Sequence, residues 1–538
     1  MSNIFRFIKQ IPRPIWLAVL SGILVGTSYI PFPGWALLFC YSPLWIAALE
    51  LHLQNASLKK IFFIGWLTQF ILTLIGFNWI YYVSSEFGQL PWFLSLGALL
   101  LFAGAMHIYI PFSLIFSSWI LRRQKIYSRF IQLCIFALSF SFFERLWPSI
   151  FEWNLAYSLL WMKSPLSQWA DTVGFWGLST WILLAQAILT FCFLIRKSEN
   201  KKAVSLVVSL VIIIFILTRV GIYKEETWSK TDTTIQFGIA QGNIGNAEKI
   251  LSEKKEHFQS YILDVYSELT ETHLKKNPKT ELMLWPETAL PFALDSYYQQ
   301  RLLQHSLLEK VQIWNLTLLT GGYSQSQTKK DHLGNHLTRN SVFFIGPHLQ
   351  MQEEPYHKTA LLVFGEYMPL GKQFPFLYEL LPFVGVYERG PGPSPKRVEL
   401  RDNKHVILGP QICYESLDSA FSRELAKNGA DILFNVTNDS WFGWWAEPFQ
   451  HNIMTLARAL EVRRPLVRAT NTGISSAILA NGQQLETSPI DKPWAHTYEI
   501  PYLTNAPQTF YTTLGHWDWL LWLIVFMALI LKGKYVRD

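Results

Sequence analysis

Charge is scarce in this chain. Asp, Glu, Lys and Arg make up 16% of its 538 residues, against about a quarter in ordinary soluble domains. The shortage lies in residues 1–222 and 514–531, whereas 224–512 has the composition of a soluble domain. Half of the residues are apolar, which excludes disorder. Cysteine is scarce too: Cys40, Cys134 and Cys192 sit inside long apolar runs, and Cys413 stands alone in the polar part. A lone cysteine closes no disulfide within its own domain, so a disulfide scaffold is excluded there. The histidines are scattered without ligand spacing, so no metal is expected. No glycine loop that would cradle phosphate is present, and no other cofactor is expected. Internal repeats and low-complexity segments are lacking as well; the Gly and Pro of 390–395 mark only a loop. The net charge of +7 does not point to nucleic acid, because the basic residues fall in short tracts between apolar runs. Such tracts set membrane topology.

A helix that crosses a bilayer needs about 20 mostly apolar residues. Candidate spans lie near 12–30, 33–51, 61–82, 92–120, 129–146, 173–195, 203–222 and 514–531, eight in all. Arg6, Lys9 and Arg13 precede the first, and Lys59 and Lys60 follow the second. Arg122, Arg123, Lys125 and Arg129 follow the fourth, and Arg196, Lys197, Lys201 and Lys202 the sixth. Lys532, Lys534 and Arg537 follow the eighth. The alternate connections carry almost no charge: 83–91 holds only Glu86, and 28–33 holds none. Lys and Arg favour the cytoplasmic side, so both termini are expected there and residues 224–512 outside, in the periplasm of a bacterium with two membranes. The first run does not read as a cleaved signal peptide, since further spans follow it. The Trp-rich connection 147–172 reads either as an interfacial aromatic belt or as a segment that dips back into the bilayer surface.

The outward part alternates strand-like and helix-like segments. Strands are expected over 234–244, 281–287, 316–323, 341–346, 405–412, 431–438 and 466–471. Helices are expected over about Ala247 to Lys275, from Cys413 to a C-cap at Gly429, and over about Pro448 to Val462. This alternation predicts an α/β domain with helices packed on sheets. The division reads as 1–222 membrane region with seven spans, 223–512 outward domain, and 513–538 last span and tail.

Cys413 ends the apolar strand of HVILGPQICYESLD, residues 405–418, just before a helix. Two readings stand: a small buried hydrophobe, or a nucleophile at a junction that exposes a side chain and aims backbone N–H groups at it. A free thiol is only a few per cent thiolate near neutrality, so a nucleophile needs a base or a cation beside it. Glu287, in LWPETALPF, lies at the end of a strand; it reads equally as an acid at a helix N-terminus after Pro286. Lys358 and Glu366, in YHKTALLVFGEYMPL, flank an apolar run. Such groups are rarely buried unless paired, and a solvated lysine is the plain alternative.

A strand-end Glu, then a Lys, then a Cys resembles the Glu-Lys-Cys triad of the nitrilase superfamily. The motifs AQGNI, WPET, YHK…FGEYMPL, ICYES, NDSWFG and QHNIMTLARALEVRRPLVRATNTGIS, with spans before and after, together resemble the apolipoprotein N-acyltransferases, the membrane-embedded branch of that superfamily. The resemblance covers nearly the whole chain. It departs at Val363 and Ala360, where the family usually has Pro and His; neither is a triad member. The resemblance implies an αββα sandwich in the outward domain and an enzyme of the bacterial inner membrane. It implies that Cys413 attacks an ester of a phospholipid, phosphatidylethanolamine at sn-1, and forms a thioester. The α-amino group of a diacylglyceryl-cysteine on an apolipoprotein then takes the acyl chain, so the kinetics are ping-pong. Glu287 is the implied base. Lys358 and the backbone N–H of Tyr414 are the implied oxyanion donors, and Glu366 and Glu415 hold Lys358. Trp441, Phe442, Trp444 and Trp445, with Phe449, read as a lid that admits acyl chains or as residues packed under a loop. Two rivals stay open. One is a tethered amidohydrolase with the same triad, which has no need of eight spans and an aromatic mouth. The other is a transporter or receptor, which intramembrane charges would favour; the spans hold few, Glu144, Arg145 and Arg219 lying near their ends.

Overall fold

The computed structural model describes residues 12–149, 151–252, 256–295, 301–330, 334, 336–348, 351–381, 384–401 and 404–536. They fall into two compact units, residues 1–224 with 514–538, and residues 225–513. The expected flanking charges Arg6, Lys9 and Arg537 lie outside the described residues.

The first unit is all-helical. Among the described residues, four helical runs are long and apolar enough to cross a membrane: Leu58–Gly76, Trp92–Gln124, Pro165–Ile195 and Asn200–Thr227. Shorter helices occupy the other expected spans, at Arg13–Gly26, Ser42–Leu53, Arg129–Leu146 and Asp518–Gly533. Boundaries differ from expectation in several places; the span expected over 61–82, for one, ends at Gly76 and is followed by a separate helix, Trp79–Glu86. The run expected over 33–51 is turn until Ser42, because Pro31, Pro33 and Gly34 deny a helix its donors and its stiffness. The span expected over 92–120 is two helices, Trp92–Ala105 and Tyr109–Gln124. Part of the Trp-rich connection 147–172 turns inward. Trp153, Leu155, Ala156 and Tyr157 are buried in the unit, and Trp153 stacks on Tyr29 with centroids 4.7 Å apart. The last helix is tied in by Arg145, whose Nη2 lies 2.8 Å from Oδ2 of Asp518.

The second unit is built on two sheets. Sheet one has the order β11-β1-β2-β3-β4-β5, and sheet two β10-β9-β8-β7-β6. In sheet one, β1 (Thr233–Gln241), β2 (Leu282–Ala293) and β3 (Thr317–Lys330) run parallel; β4 (His336–Ile345), β5 (Met351–His357) and β11 (Trp494–Tyr502) are added antiparallel. In sheet two, β7 (His405–Ile412), β8 (Ile432–Thr437) and β9 (Leu466–Thr470) run parallel, flanked by β6 (Lys396–Glu399) and β10 (Ser476–Ile478). All seven expected strands are present. The sheets face each other across apolar side chains, with Phe344 of β4 edge-on to Phe434 of β8 at 6.4 Å. The central strands are buried on both faces: every residue of β8 and β9 is buried, as parallel strands between covering layers must be.

Helices cover the outer faces. Glu256–Lys276 and Arg301–Trp314 pack on sheet one through Ile262, Leu263, Tyr266, Leu307 and Val311. The helix expected over Ala247–Lys275 is interrupted: Asn246–Ser252 and Glu256–Lys276 are helical, and 253–255 lie outside the described residues. Ser419–Lys427 and Glu447–Val462 cover sheet two. The helix expected after Cys413 comes in two parts, a 3-10 turn over Cys413–Leu417 and an α-helix from Ser419, where the Asp418 carboxylate accepts from the N–H groups of Ala420 and Phe421. It ends as expected at Gly429, whose φ of +94° suits a residue without Cβ. The result is a helix–sheet–sheet–helix sandwich.

Candidate active site

Cys413 sits at the C-terminal end of β7 with φ +54°. A left-handed conformation in a residue that is not glycine costs energy and marks a place where surrounding structure dictates the backbone. Here the Asn435 side chain on β8 dictates it, donating Nδ2–H to the carbonyls of Cys413 at 3.0 Å and Gln411 at 3.2 Å. The turn swings the thiol out of the strand and into contact with the Thr437 hydroxyl at the end of β8.

Glu287 lies in β2 where pairing with β3 slips between Trp285 and Leu290. Thr288 next to it also has positive φ, +49°. The slip is possible because β3 offers Gly321: a Cβ there would stand 2.7 Å from Glu287 Cα and overlap the Pro286 carbonyl. Both obstacles are backbone, so Gly321→Ala forces one strand to move. A displacement of about 1 Å at a reacting group costs about 100-fold in rate. We therefore expect Gly321→Ala to lower the rate of Cys413 acylation by that factor while the circular-dichroism spectrum stays native; a rate within threefold of wild type contradicts this positioning of Glu287.

Lys358 follows β5 directly, and its backbone N–H donates to the Asn340 carbonyl at 2.8 Å. Its ammonium is 2% exposed and donates to Glu287 Oε1 at 3.2 Å and Glu366 Oε1 at 2.9 Å. The Asn340 amide donates to the same two oxygens, at 2.7 and 3.1 Å. Two carboxylates thus share one ammonium and one amide. Glu366 is further fixed by the Leu362 N–H at 2.8 Å. Burial disfavours the charged lysine, but Glu287 and Glu366 outweigh it and hold Lys358 well above its ordinary value. The thiol is held well above its own, by burial first and then by the Glu287 charge; Lys358 and Thr437 act the other way. At rest Cys413 is therefore a neutral thiol among charged groups that already balance in part.

Glu415 is placed differently from Glu366. It does not touch Lys358. Its carboxylate accepts N–H groups of Thr359 at 2.5 Å, Ala360 at 3.0 Å and Ile412 at 2.8 Å, and the Tyr356 hydroxyl at 2.8 Å. Burial nevertheless raises it to about 7. It holds Lys358 through the backbone, stitching the residues around the lysine to those around the cysteine. Ala360 takes part through its N–H alone, so its lack of a His side chain leaves that bond intact.

The aromatic segment divides. Phe442 points inward, edge-on to Tyr414 at 5.9 Å, while Trp444 and Trp445 are exposed; Trp441 and Phe449 are half-buried. A second exposed apolar stretch follows Lys358, with Phe364, Leu370, Phe374, Phe376 and Leu380. Sequence reasoning passed it over because Gly and Pro break its periodicity.

Other residues at the site were also missed. Asn435 carries a signal in hindsight, an amide inside the apolar strand ILFNVT, whereas Asn340 stands before the apolar run of β4 and carries none. Lys249 is buried, donates to the Thr288 hydroxyl at 3.2 Å, and is lowered by burial to about 8. Among the described residues, Asp439, Glu447 and His451 form a group of side chains able to hold a metal. Its charges are met otherwise. His451 Nδ1 lies 3.0 Å from Asp439 and 3.4 Å from Glu447, hydrogen-bond distances that demand a ring N–H, and Arg468 takes the other Asp439 oxygen at 2.7 Å.

Comparison with known proteins agrees with this architecture. Residues 236–495 match the carbon-nitrogen hydrolase family, and residues 21–188 match the apolipoprotein N-acyltransferase N-terminal domain. An apolipoprotein N-acyltransferase of Bdellovibrio bacteriovorus is 47% identical over 533 residues, 99% of this chain and 96% of that one. One from Geobacter metallireducens is 29% identical, over 98% of this chain and 96% of its own. A solved amidase from Nesterenkonia sp. is 15% identical, covering 50% of this chain and 90% of the amidase with a TM-score of 0.36. With a helical unit of membrane-crossing length, a nitrilase-like sandwich, and close identity along almost its entire length to such a relative, this chain belongs to the apolipoprotein N-acyltransferase family.

Proposed function

We propose that this acyltransferase moves a fatty acyl chain from a membrane phospholipid to the α-amino group of the diacylglyceryl-cysteine of an apolipoprotein, through a thioester on Cys413. One observation carries the reading: Glu287 within β2, Lys358 just after β5 and Cys413 just after β7 meet in one buried site in which their charges act on each other. A thiol with a carboxylate base and a fixed cation is equipped for acyl transfer.

In the first step Sγ attacks the ester carbonyl and its proton passes to Glu287. Lys358, with the backbone N–H of Tyr414, stabilises the oxyanion. The C–O bond breaks, Glu287 returns the proton to the departing oxygen, and a lysophospholipid leaves. In the second step the amine attacks the thioester and gives its proton to Glu287, and the thiol is restored as the amide forms. Glu366 keeps the Lys358 ammonium aimed, and Glu415 holds the backbone on either side. Phosphatidylethanolamine, through its sn-1 chain, is the donor. The exposed apolar side chains of 364–380 and of Trp444 and Trp445 suit substrates with long acyl chains. The basic tracts support a topology of eight crossings of the inner membrane, with both termini in the cytoplasm and residues 223–512 in the periplasm.

The test is the intact mass of the full chain after incubation with phosphatidylethanolamine in detergent and no acceptor. A fatty-acyl increment on Cys413, matched by released lysophospholipid and discharged by a diacylated lipopeptide, is the expected result. An unmodified thiol with intact phospholipid overturns it. Discharge by water but not by the lipopeptide makes the enzyme a hydrolase with the same triad.

A further inference from the structure

Beside the thiol, and outside its acid–base set, lies a second buried group of charges. Asp439 stands at the start of the aromatic segment 440–446 and Glu447 just after its end. Both meet the same atom, Nδ1 of His451. The His451 ring also carries the ring of Tyr414, stacked at 4.6 Å and 14°. The Tyr414 hydroxyl donates to Glu447 Oε1 at 2.8 Å. On the other side, Arg468 joins Asp439 to Asn435, donating to Asn435 Oδ1 at 2.7 Å, and Asn435 is the residue that holds the Cys413 carbonyl. A closed circuit thus runs from the nucleophile's own carbonyl, through Asn435, Arg468, Asp439, His451 and Glu447, to the residue that follows the nucleophile.

We propose that His451, as an imidazolium between Asp439 and Glu447, is a positioning residue for acyl transfer: it closes the aromatic segment at its base and fixes Tyr414 beside Cys413. The proposal rests on the acyl-transfer reading of Cys413 given above. The groups that face the ring are Asp439 from the segment after β8, Glu447 from its own helix, Arg468 from β9 and Tyr414 from the turn after β7. With His451 charged, two cations meet two carboxylates. With His451 neutral, one carboxylate is left without a counter-charge in a buried site, which is costly. Burial and Arg468 favour the neutral ring, but the two carboxylates outweigh them and hold His451 above its ordinary value. Burial resists ionisation of Asp439 as well, yet Arg468 and His451 bring it down to about 2. Because the histidine is raised, the clamp is fully present below about pH 6.5 and is released as pH climbs through the raised value.

This gives a pH signature that a merely structural histidine would lack. The rate of Cys413 acylation by phosphatidylethanolamine is measured by intact mass for wild type and His451→Gln from about pH 6 to about pH 9, the span over which a raised histidine titrates. Taking the ratio of the two cancels the ionisation of the thiol. The ratio is expected to be about one-hundredth at the acid end, the cost of a misplaced site. At the alkaline end it is expected to climb to within about threefold of one, since wild type has then lost the same charge. A ratio constant with pH, or one near unity throughout, overturns the proposal. Should wild type form no acyl-enzyme, the transferase reading fails, and alkylation of Cys413 by iodoacetamide takes its place. His451→Gln must then alkylate faster than wild type at the acid end and equally at the alkaline end, and any other pattern overturns the clamp. If His451→Gln does not fold, Glu447→Gln serves. It removes one carboxylate and lowers the histidine, so its rate ratio must dip between the two imidazole values; a flat ratio overturns the proposal.

Discussion

Cys413→Ala is expected to abolish acyl-enzyme formation, with a fall in transfer rate of about 10⁴-fold or more, as when a nucleophile is removed from a coupled catalytic set. The size of the effect separates chemistry from folding. A fall of about 10⁴ corresponds to about 5.4 kcal/mol at the barrier, whereas losing one buried atom of methyl size costs about 1 kcal/mol of stability. An inactive enzyme with a nearly unchanged unfolding midpoint is therefore the expected pair of observations. Cys413→Ser sharpens the point. A hydroxyl is a far weaker acid than a thiol, and the proposed base is a carboxylate, Glu287, not an imidazole. The serine variant is expected to accumulate no ester with phosphatidylethanolamine. Stoichiometric acylation of Cys413→Ala by intact mass would sink the assignment of the nucleophile.

Lys358→Met is expected to strike activity and stability together. It removes the cation proposed to stabilise the oxyanion, a loss of about 10²- to 10³-fold. It also leaves Glu287 and Glu366 facing each other across the Asn340 amide, and stripping one partner from a buried ion pair costs about 3–5 kcal/mol. The two effects come apart in a double variant. Lys358→Met with Glu366→Gln removes the unpaired charge, so thermal stability is partly recovered, but acylation is not. Wild-type acylation by Lys358→Met, or a double variant no more stable than the single one, would contradict the shared-ammonium arrangement. Linkage fixes the pH range. Lys358 is raised well above its ordinary value, so the stability it contributes is present at every pH below about 10.4 and is lost only above that. The destabilisation by Lys358→Met should accordingly hardly change across the neutral range.

What could be read from the sequence follows a physical division. The seven strands foreseen are the interior strands of both sheets, β1 to β4 and β7 to β9. The four missed, β5, β6, β10 and β11, are the four edges. Interior strands are apolar on both faces and read as continuous runs. Edge strands such as KRVE and WAHTYEIPY are half exposed and keep polar residues. The proposed triad was legible at Cys413, where the apolar run of an interior strand stops abruptly at a titratable group, and at Glu287, which follows the apolar run of β2, whereas Lys358 follows the edge strand β5 and was found through the family motif. The partners of the triad were not legible, because Asn340 and Asn435 take their meaning from what faces them in the fold. The helices of the first unit show the converse. Hydropathy located every apolar segment, but where a segment breaks depends on prolines and on packing, which is why residues 31–41 are turn and why 92–124 is two helices.

The raised thiol has a consequence beyond catalysis. Thiolates, not thiols, react with oxidants and with disulfides. On the proposed outer side of the membrane, a cysteine ionised at rest would be consumed by oxidation between turnovers. Cys413 is kept protonated by burial and by the negative charge of Glu287, and becomes nucleophilic only when a substrate carbonyl and the carboxylate base act on it together. The same neighbours that make the thiol a reluctant acid also preserve it, so a single unpaired cysteine can persist in an oxidising compartment without a reductase to regenerate it.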